Sequence, residues 1–565
     1  MELFNPNKYQ DRHPVAKTNE MMKNIIAWFE QKGLKSIKED WHQKKWNYEF
    51  VEFLKQQQVF ATLMTPENYG DPGSSWNTFR NVDFAEISSF YGITYWYTFQ
   101  VSMLGLGPIF NGDNEAVKHK TAKLLQEGAV FAFGLSEKEH GADIYSSDMM
   151  LYPQPDGTWL ARGDKYYIGN GNEASLVSTF AKIDGTNEYV FFVVDSKHPN
   201  YECVKNVVNE QNYVAEYRLN DYPITNHDIL SRGQKAWDDM LNTINLCKFN
   251  LGFGAIGLAT HAFYEAIDHA ANRNLYGKFV TDFPHVQRLF VDSYCRLFAM
   301  KLFATRATDY MRSASRDDRR YLLYNPMVKM KVTTQGEEVV RMLWDIIAAK
   351  GFEKEPFFEI AAHEIGMLPK LEGTVHVNMA LIVKFMKNFF FSPQPFPEIP
   401  RRSDNNNDTF MFHQGETKGL GKIQFHDYHL AYDSVNLENV KIFREQIELF
   451  KKLLIKAGPT DEQSKDIDYL LALGEIFTLV AYGQLLLENM KIEKVEEDLM
   501  EEIFDFMIRD FSKHALTLYS KTSNSDLQKK MALELIKSPA FRQERFDKIW
   551  KNYIYSMKAQ YSMKD

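Results

Sequence analysis

The pattern of hydrophobic and polar positions changes twice along the chain. Over residues 18–126, apolar residues recur at helical spacing, as in Met22-Ile25-Ile26-Phe29, which predicts amphipathic helices. Over residues 130–219, short alternating or β-rich runs such as Leu176 to Ile183 and Tyr189 to Val194 are separated by turn signals and predict strands of a compact β domain. Helical spacing then returns and holds over residues 234–391.

A polar, proline-rich stretch separates this region from a last helical one. Ser392-Pro393-Gln394-Pro395-Phe396-Pro397 and the polar residues up to Asp408 have the composition of a linker. Residues 438–561 are again strongly helical. The predicted domains are an N-terminal helical domain at 1–128, a middle β-barrel domain at 129–233, a helical bundle domain at 234–392, a linker at 393–435 and a C-terminal helical extension at 436–565.

Composition excludes several classes of function. Hydrophobic residues make up 44% of the 565 residues and charged residues 25%, as in ordinary globular proteins. The net charge of −9 argues against nucleic acid as the partner, because neutralising phosphates needs clustered Lys and Arg. The three cysteines form no Cys-x-x-Cys pair, so neither a disulfide framework nor a cysteine-rich metal site is expected, and no metal is predicted.

No membrane segment is expected from the sequence. The N-terminus is polar, without the apolar stretch of a signal peptide. The least polar candidate for a membrane span is Leu246 to Ile267, which contains Lys248, His261 and Glu265 and is too polar to cross a bilayer. A cytoplasmic location is therefore the expectation.

Two segments of the β region have features of a binding site. In Gly134 to Asp143, small residues follow a predicted strand and let backbone amides approach a polar ligand. The second is Lys165-Tyr166-Tyr167-Ile168-Gly169-Asn170-Gly171. A β-hairpin with an Asn-Gly turn explains it equally well without any ligand.

The later helical region contributes further candidates. Arg273-Asn274-Leu275-Tyr276-Gly277 offers a guanidinium fork, which suits paired phosphate oxygens. Asp345 to Phe352 is a turn with small residues, which a plain helix end at Gly351 also explains. In Glu372-Gly373-Thr374, Thr374 is a plausible N-cap for an apolar helix, with an acidic residue beside the helix dipole.

These motifs, in this order, resemble those of the acyl-CoA dehydrogenase family. The resemblance implies a mainly α fold with a central β domain: an N-terminal helical domain, a β-barrel and a C-terminal four-helix bundle, here with a helical extension. It also implies FAD as the cofactor. The residues that it assigns to FAD binding are Phe133, Leu135, Ser136, Ala142, Tyr167, Ile168, Gly169, Arg273, Asp345, Ala349, Thr374 and His376.

The same resemblance implies a reaction. Glu372 would remove the α-proton of a fatty acyl-CoA thioester as hydride leaves Cβ, giving the trans-2-enoyl-CoA, with Lys248 and Gly373 binding substrate. Burial of such a base would raise its pKa from about 4.3 towards neutrality. Electrons would pass to an electron-transfer flavoprotein or similar acceptor, and a homodimer or homotetramer is expected.

The chain departs from the family pattern at several of these positions. Ala142 replaces a serine, Gly169 replaces a hydroxyl residue that faces the flavin, Lys248 replaces an arginine, and Ala348-Ala349 replaces two glycines. These departures indicate a divergent member. Two alternatives stay open: an acyl-CoA oxidase that passes electrons to oxygen, and a paralogue without dehydrogenase activity, similar to the alkylation-response branch, that acts as a binding protein.

Overall fold

The computed structural model describes all 565 residues, which form two compact units. Unit 1 comprises residues 1–9, 251–402 and 419–562, and unit 2 comprises residues 10–250, 403–418 and 563–565. The helices are α1 (Ala16–His42), α2 (Tyr48–Gln56), α3 (Val59–Met64), α4 (Thr78–Phe90), α5 (Ile93–Asn111), α6 (Glu115–Gln126), α7 (Gly233–Cys247), α8 (Asn250–Asn272), α9 (Pro284–Arg312), α10 (Tyr321–Met327), α11 (Thr333–Ile347), α12 (Phe358–Glu364), α13 (Val375–Ile382), α14 (Met386–Phe391), α15 (His429–Tyr432), α16 (Glu438–Ala457), α17 (Ile467–Glu493), α18 (Glu497–Tyr519), α19 (Asp526–Glu534) and α20 (Gln543–Ile549).

Unit 2 contains an eight-stranded sheet. The strands are β1 (Phe131–Gly134), β2 (Met150–Pro153), β3 (Trp159–Gly169), β4 (Leu176–Ile183), β5 (Tyr189–Val194), β6 (Tyr201–Asn206), β7 (Val214–Ile224) and β8 (Ile229–Arg232). Their order in the sheet is β6-β7-β3-β2-β4-β5-β8, with β1 paired in parallel to β4. Their inward side chains form one apolar core, which includes Val177, Phe192 and Leu219. The predicted strands at Leu176 to Ile183 and Tyr189 to Val194 are confirmed to the residue.

Asn170 and Gly171 do not form a hairpin turn. β3 pairs with β7 and β2 and not with β4, so the hairpin explanation of this segment is wrong. Asn170 is instead fully buried with φ +59°, and its Nδ2 donates to the Thr98 carbonyl at 3.0 Å and the Phe131 carbonyl at 3.1 Å. The side-chain amide of Asn170 thus connects the end of β3 to α5 and β1 by hydrogen bonds.

Unit 1 is a helical assembly in which residues from the predicted bundle and from the predicted extension pack together. Arg296 of α9 donates to Asp510 of α18 at 2.7 Å, and Arg306 of α9 donates to Glu488 of α17 at 2.9 Å. All four side chains are at least four-fifths buried. Strands β9 (Asn274–Leu275) and β10 (Lys278–Phe279) form an exposed hairpin in the same unit.

One helix is apolar and long enough to cross a membrane. It is α17, with a mean hydropathy of 1.8 in its most apolar window, and 83% of that window is buried inside the protein. Buried core helices meet the same criterion of length and composition. The choice of Leu246 to Ile267 as the least polar candidate was wrong, since α17 is the helix that meets the criterion.

The predicted linker is divided between the units, and each part makes contacts within its own unit. In unit 1, the Arg402 backbone N–H donates to Asp309 at 2.8 Å. In unit 2, the Thr78 N–H donates to Asp408 at 2.6 Å and the Trp76 N–H donates to Asn407 at 2.8 Å. The boundaries of the five predicted domains stay a prediction.

Candidate functional site

In unit 2, the segment after β1 is attached to β3. The Ser136 hydroxyl donates to the Tyr166 carbonyl at 2.7 Å, and the Tyr166 N–H donates back to the Ser136 carbonyl at 2.9 Å. Ser136 and Leu135 are half-buried, Phe133 is buried, and Ala142 is exposed. Because the serine proton is used in this pairing, the hydroxyl oxygen retains only acceptor capacity for a ligand.

A buried ion pair joins the segment after β1 to β3. The Lys165 Nζ lies 2.6 Å from the Glu137 Oε1, and the Lys165 side chain is fully buried. Burial alone would raise the Glu137 pKa, but Lys165 and the Ser147 and Asp148 hydrogen bonds outweigh it, so the pKa lies below its ordinary value. Sequence reasoning missed Lys165, whose only signal was a lysine at a position of β3 that faces the sheet interior.

Tyr167 presents an aromatic ring at the surface beside this segment. Its side chain is 60% exposed, and its φ of +64° falls in the irregular part of β3 between Lys165 and Ile168. A positive φ reverses the side-chain direction that a regular strand would give. Tyr167 therefore points outward while Ile168 is buried in the core.

Gly169 lies against α5. A Cβ at position 169 would be 2.9 Å from the Tyr97 hydroxyl oxygen and 2.8 Å from the Val101 Cγ2. Any larger residue at 169, including the hydroxyl residue typical of the family, would therefore collide with α5. The structure thus brings a tyrosine hydroxyl next to the position where the sequence lacks one, and sequence reasoning missed Tyr97.

Lys248 caps the C-terminus of α7. Its backbone N–H donates to the Ile244 carbonyl at 3.0 Å, and its side chain is buried. Its predicted role in substrate binding, near Glu372, stays a prediction.

In unit 1, Glu372 lies in a strained turn before α13. Glu372 has φ +51° and Gly373 has φ +91°, and Thr374 is the N-cap, whose side chain accepts from the Val377 N–H. The Asn378 amide donates to the carbonyls of both Gly373 and Thr374 at 3.0 Å. A left-handed glutamate costs energy and persists only when its surroundings fix it, as they do at many functional sites.

A buried lysine lies close to this turn. The Lys329 side chain is fully buried, and its Nζ donates to the Pro369 carbonyl at 2.6 Å. Burial lowers the Lys329 pKa to about 8, although the Glu372 charge acts to raise it. Lys329 is thus a third residue that sequence reasoning missed, since nothing in its local pattern distinguishes it from an ordinary helical lysine.

The charges of Arg273 and of Lys350, which lies in the turn after α11, both act on His269 of α8. Burial lowers the pKa of His269, and the positive charges of Lys350 and Arg273 lower it further, to about 4. Arg273 itself is exposed at the base of the β9–β10 hairpin, whose turn residue Tyr276 is 96% exposed.

The remaining predicted residues in unit 1 are exposed. Asp345 and Ala349 lie at the end of α11 and just after it, while Thr374 and His376 lie at the start of α13. Ala348, in place of a family glycine, has φ +57° and ψ −137°, a conformation that favours glycine.

Comparison with known proteins identifies part of the chain directly. Residues 235–387 match the model of the acyl-CoA dehydrogenase C-terminal domain. A probable short/branched chain specific acyl-CoA dehydrogenase of Dictyostelium discoideum is 24% identical over 283 residues, which are 48% of this chain and 67% of that protein. A 3-(aryl)acrylate reductase of Clostridium sporogenes is 22% identical over 342 residues, which are 59% of this chain and 89% of that protein.

Solved structures share the fold. An acyl-CoA dehydrogenase complexed with FAD from Bacillus anthracis aligns over 98% of this chain and 97% of its own, with TM-score 0.74 and 18% identity. Butyryl-CoA dehydrogenase from Megasphaera elsdenii aligns over 66% of this chain and 98% of its own, with TM-score 0.58 and 19% identity. The predicted fold class is confirmed, including the additional C-terminal helices. Residues 235–387 therefore match the acyl-CoA dehydrogenase C-terminal domain, and the chain has the fold of the acyl-CoA dehydrogenases to which it is similar.

Proposed function

We propose that the protein is an FAD-dependent acyl-CoA dehydrogenase that converts a fatty acyl-CoA thioester to the trans-2-enoyl-CoA, with Glu372 as the base. The observation that carries the proposal is the Glu372 turn, in which a left-handed glutamate is fixed before the N-cap of α13 inside the domain that matches the family. The N-cap of that helix uses the Thr374 side chain, and the Asn378 amide bonds to the backbone carbonyls of Gly373 and Thr374.

The residues present fit the cofactor. The exposed ring of Tyr167 suits the flat face of a flavin, and the exposed guanidinium of Arg273 suits a pyrophosphate. Around them, we assign FAD binding to the positions that the family pattern predicts: Phe133, Leu135, Ser136, Ala142, Ile168, Gly169, Asp345, Ala349, Thr374 and His376. The Bacillus anthracis relative is an FAD complex, which supports the assignment.

The residues of the chain then have separate tasks. The Glu372 carboxylate takes the α-proton, and its backbone N–H stabilises the negative charge that develops on the thioester oxygen. Gly373 and Lys248 contribute to substrate binding. FAD, when bound, supplies the two-electron acceptor for the hydride that leaves Cβ.

The partners follow from the same proposal. The electrons pass to an electron-transfer flavoprotein or a similar acceptor, and the structural similarity to a solved structure described as the electron transferring flavoprotein of Acidaminococcus fermentans supports this. The protein acts as a homodimer or homotetramer in the cytoplasm, in fatty acid β-oxidation. The exposed Arg273 is then available to the cofactor of another subunit.

Anaerobic titration of the purified protein with acyl-CoAs of graded length tests the proposal. Bound flavin is expected to bleach with at least one chain length, and Glu372→Gln is expected to bind FAD and acyl-CoA without bleaching. Undiminished bleaching in that variant would disprove the role of Glu372 as the base. Reoxidation of the reduced protein by air on the turnover timescale would assign an oxidase instead, and the absence of bleaching with every acyl-CoA would favour a binding protein.

A further inference from the structure

The feature that carries the inference is the fully buried Lys329 beside the Glu372 turn. Its Nζ donates to the carbonyl of Pro369, three residues before Glu372, at 2.6 Å. A buried ammonium that is bonded to a backbone carbonyl restrains that backbone, because leaving either group unpaired costs free energy. Lys329 therefore restrains the segment that leads into the turn.

The position of Lys329 in the fold is unusual and well fixed. It lies in a π-helical turn, Val328–Val332, between α10 and α11, and such turns are frequent at functional sites. A Cβ at Gly252 of α8 would be 2.5 Å from the Val328 Cγ1 and 2.9 Å from the Val328 carbonyl oxygen, so α8 packs directly against the turn.

Two charged groups act on Lys329, one of each sign. They are Glu372, whose carboxylate attracts the ammonium, and Lys370, which repels it. Lys370 is 63% exposed and forms an ion pair with Glu337 at 2.7 Å, so its charge is largely screened by water and by its partner. Of the two charges, that of Glu372 consequently has the larger effect on the pKa of the buried Lys329 ammonium.

We propose that Lys329 is the positioning residue of Glu372: its bond to Pro369 holds the strained turn, and its positive charge keeps the carboxylate ionised so that it can accept a proton. The inference rests on the proposed function, in which Glu372 is the base. Burial by itself favours the protonated acid, which cannot accept a proton. The ammonium offsets that effect without entering the reaction.

Carboxyl labelling of the full-length protein tests the inference without requiring catalysis. A carbodiimide with an amine nucleophile modifies protonated carboxyl groups, so the midpoint pH for labelling of the Glu372 peptide, followed by mass spectrometry, reports its proton affinity. Lys329→Gln keeps an N–H donor for Pro369 and removes the charge. We expect the midpoint to rise by about one pH unit or more, a tenfold change in proton affinity.

Two variants serve as controls. Lys329→Arg retains the charge and is expected to keep the midpoint of the wild type. Lys370→Gln removes a lysine two residues from Glu372 and is expected to change the midpoint little, because that charge is exposed and paired. A folded Lys329→Gln protein with an unchanged labelling midpoint would overturn the inference. If the wild type bleaches with no acyl-CoA but the midpoint of Lys329→Gln still rises as expected, only the proposed function is contradicted.

A second measurement leaves Lys329 intact. Lys329 is protonated in the folded protein below about pH 8 and neutral well above it. The stability that its attraction to Glu372 contributes is therefore present at pH 7 and lost at pH 9.5. The difference in melting temperature between the wild type and Glu372→Gln is expected to shrink over this range, and a difference that does not change with pH would contradict the inference.

Discussion

The hydroxyl oxygen of Tyr97 lies 2.9 Å from the point that a Cβ at Gly169 would occupy. Residue 169 is the last of β3, and Tyr97 is in α5, so the absence of a side chain at 169 allows the helix to approach the strand. Position 169 thus has no room for the hydroxyl side chain typical of the family, because Tyr97 occupies the space beside it.

Gly169→Ala is expected to lower the free energy of unfolding by about 1 to 3 kcal/mol, because the new methyl group overlaps Val101 and Tyr97. Chemical denaturation measures the change. Val101→Ala in the same chain removes the nearest contacting atom and should recover part of the loss. Gly141→Ala is the matched control, since no atom lies within 4 Å of a Cβ there, and its effect is expected to stay within about 0.5 kcal/mol.

Asn170→Ala is expected to cost about 2 to 4 kcal/mol, since it leaves the buried Thr98 and Phe131 carbonyls without their donor and places alanine at a φ of +59°. Asn170→Gly also lacks the side-chain amide, but glycine adopts a φ of +59° without steric strain. The glycine variant should therefore be more stable than the alanine variant by about 1 kcal/mol in thermal or chemical unfolding. Equal stability of the two variants would contradict the backbone part of this explanation.

Ala348→Gly is expected to stabilise the protein by about 1 kcal/mol, because it relieves a conformation at φ +57° and ψ −137° that glycine alone adopts readily. The neighbouring Ala349→Gly is the control. Ala349 lies in a short 3-10 helix, so glycine there is expected to lower stability. Melting temperatures compare the two, and a loss of stability in Ala348→Gly would contradict the prediction.

Glu488→Gln is expected to cost about 3 kcal/mol at pH 7. Burial alone would raise the Glu488 pKa, but the His426 hydrogen bond and the Arg306 charge outweigh it and lower the pKa to about 2 from 4.5. A lowered carboxyl pKa gives stability that is present above about pH 4.5 and is lost as the pH falls towards 2.

The unfolding free energies of the wild type and Glu488→Gln should accordingly converge between pH 4.5 and pH 2. The exposed Glu462→Gln serves as the control, with an expected effect within about 0.5 kcal/mol at every pH. A gap between wild type and Glu488→Gln that stays constant on acidification would rule out this electrostatic origin.

Local patterns predicted the elements that are long and apolar. β4 and β5 were predicted to the residue because both are continuous runs of buried β-forming side chains. β2, β6 and β8 were missed because they are short or largely exposed, so burial does not impose an alternating pattern on them. The motif order correctly indicated the similarity to acyl-CoA dehydrogenases and the fold class.

Contacts between distant residues could not be predicted in the same way. The pairing of β3 with β7 joins residues some fifty positions apart, and no local signal distinguishes it from a β3–β4 hairpin. Lys329 and Tyr97 carry no motif, and their relation to Glu372 and Gly169 exists only once the helices have packed. The roles of the predicted FAD and substrate residues stay predictions that the titrations described above will decide.

The burial of α17 has a consequence for synthesis on the ribosome. Asn489 of α17 donates to the Leu302 carbonyl of α9 at 2.8 Å, across 187 residues of chain. Translation proceeds at about 5 to 20 residues per second, so roughly 10 to 40 s pass between the synthesis of Leu302 and the synthesis of Asn489. During that interval its apolar face is exposed to chaperones and to aggregation, so slower growth at low temperature and added chaperone capacity should raise the yield of native protein.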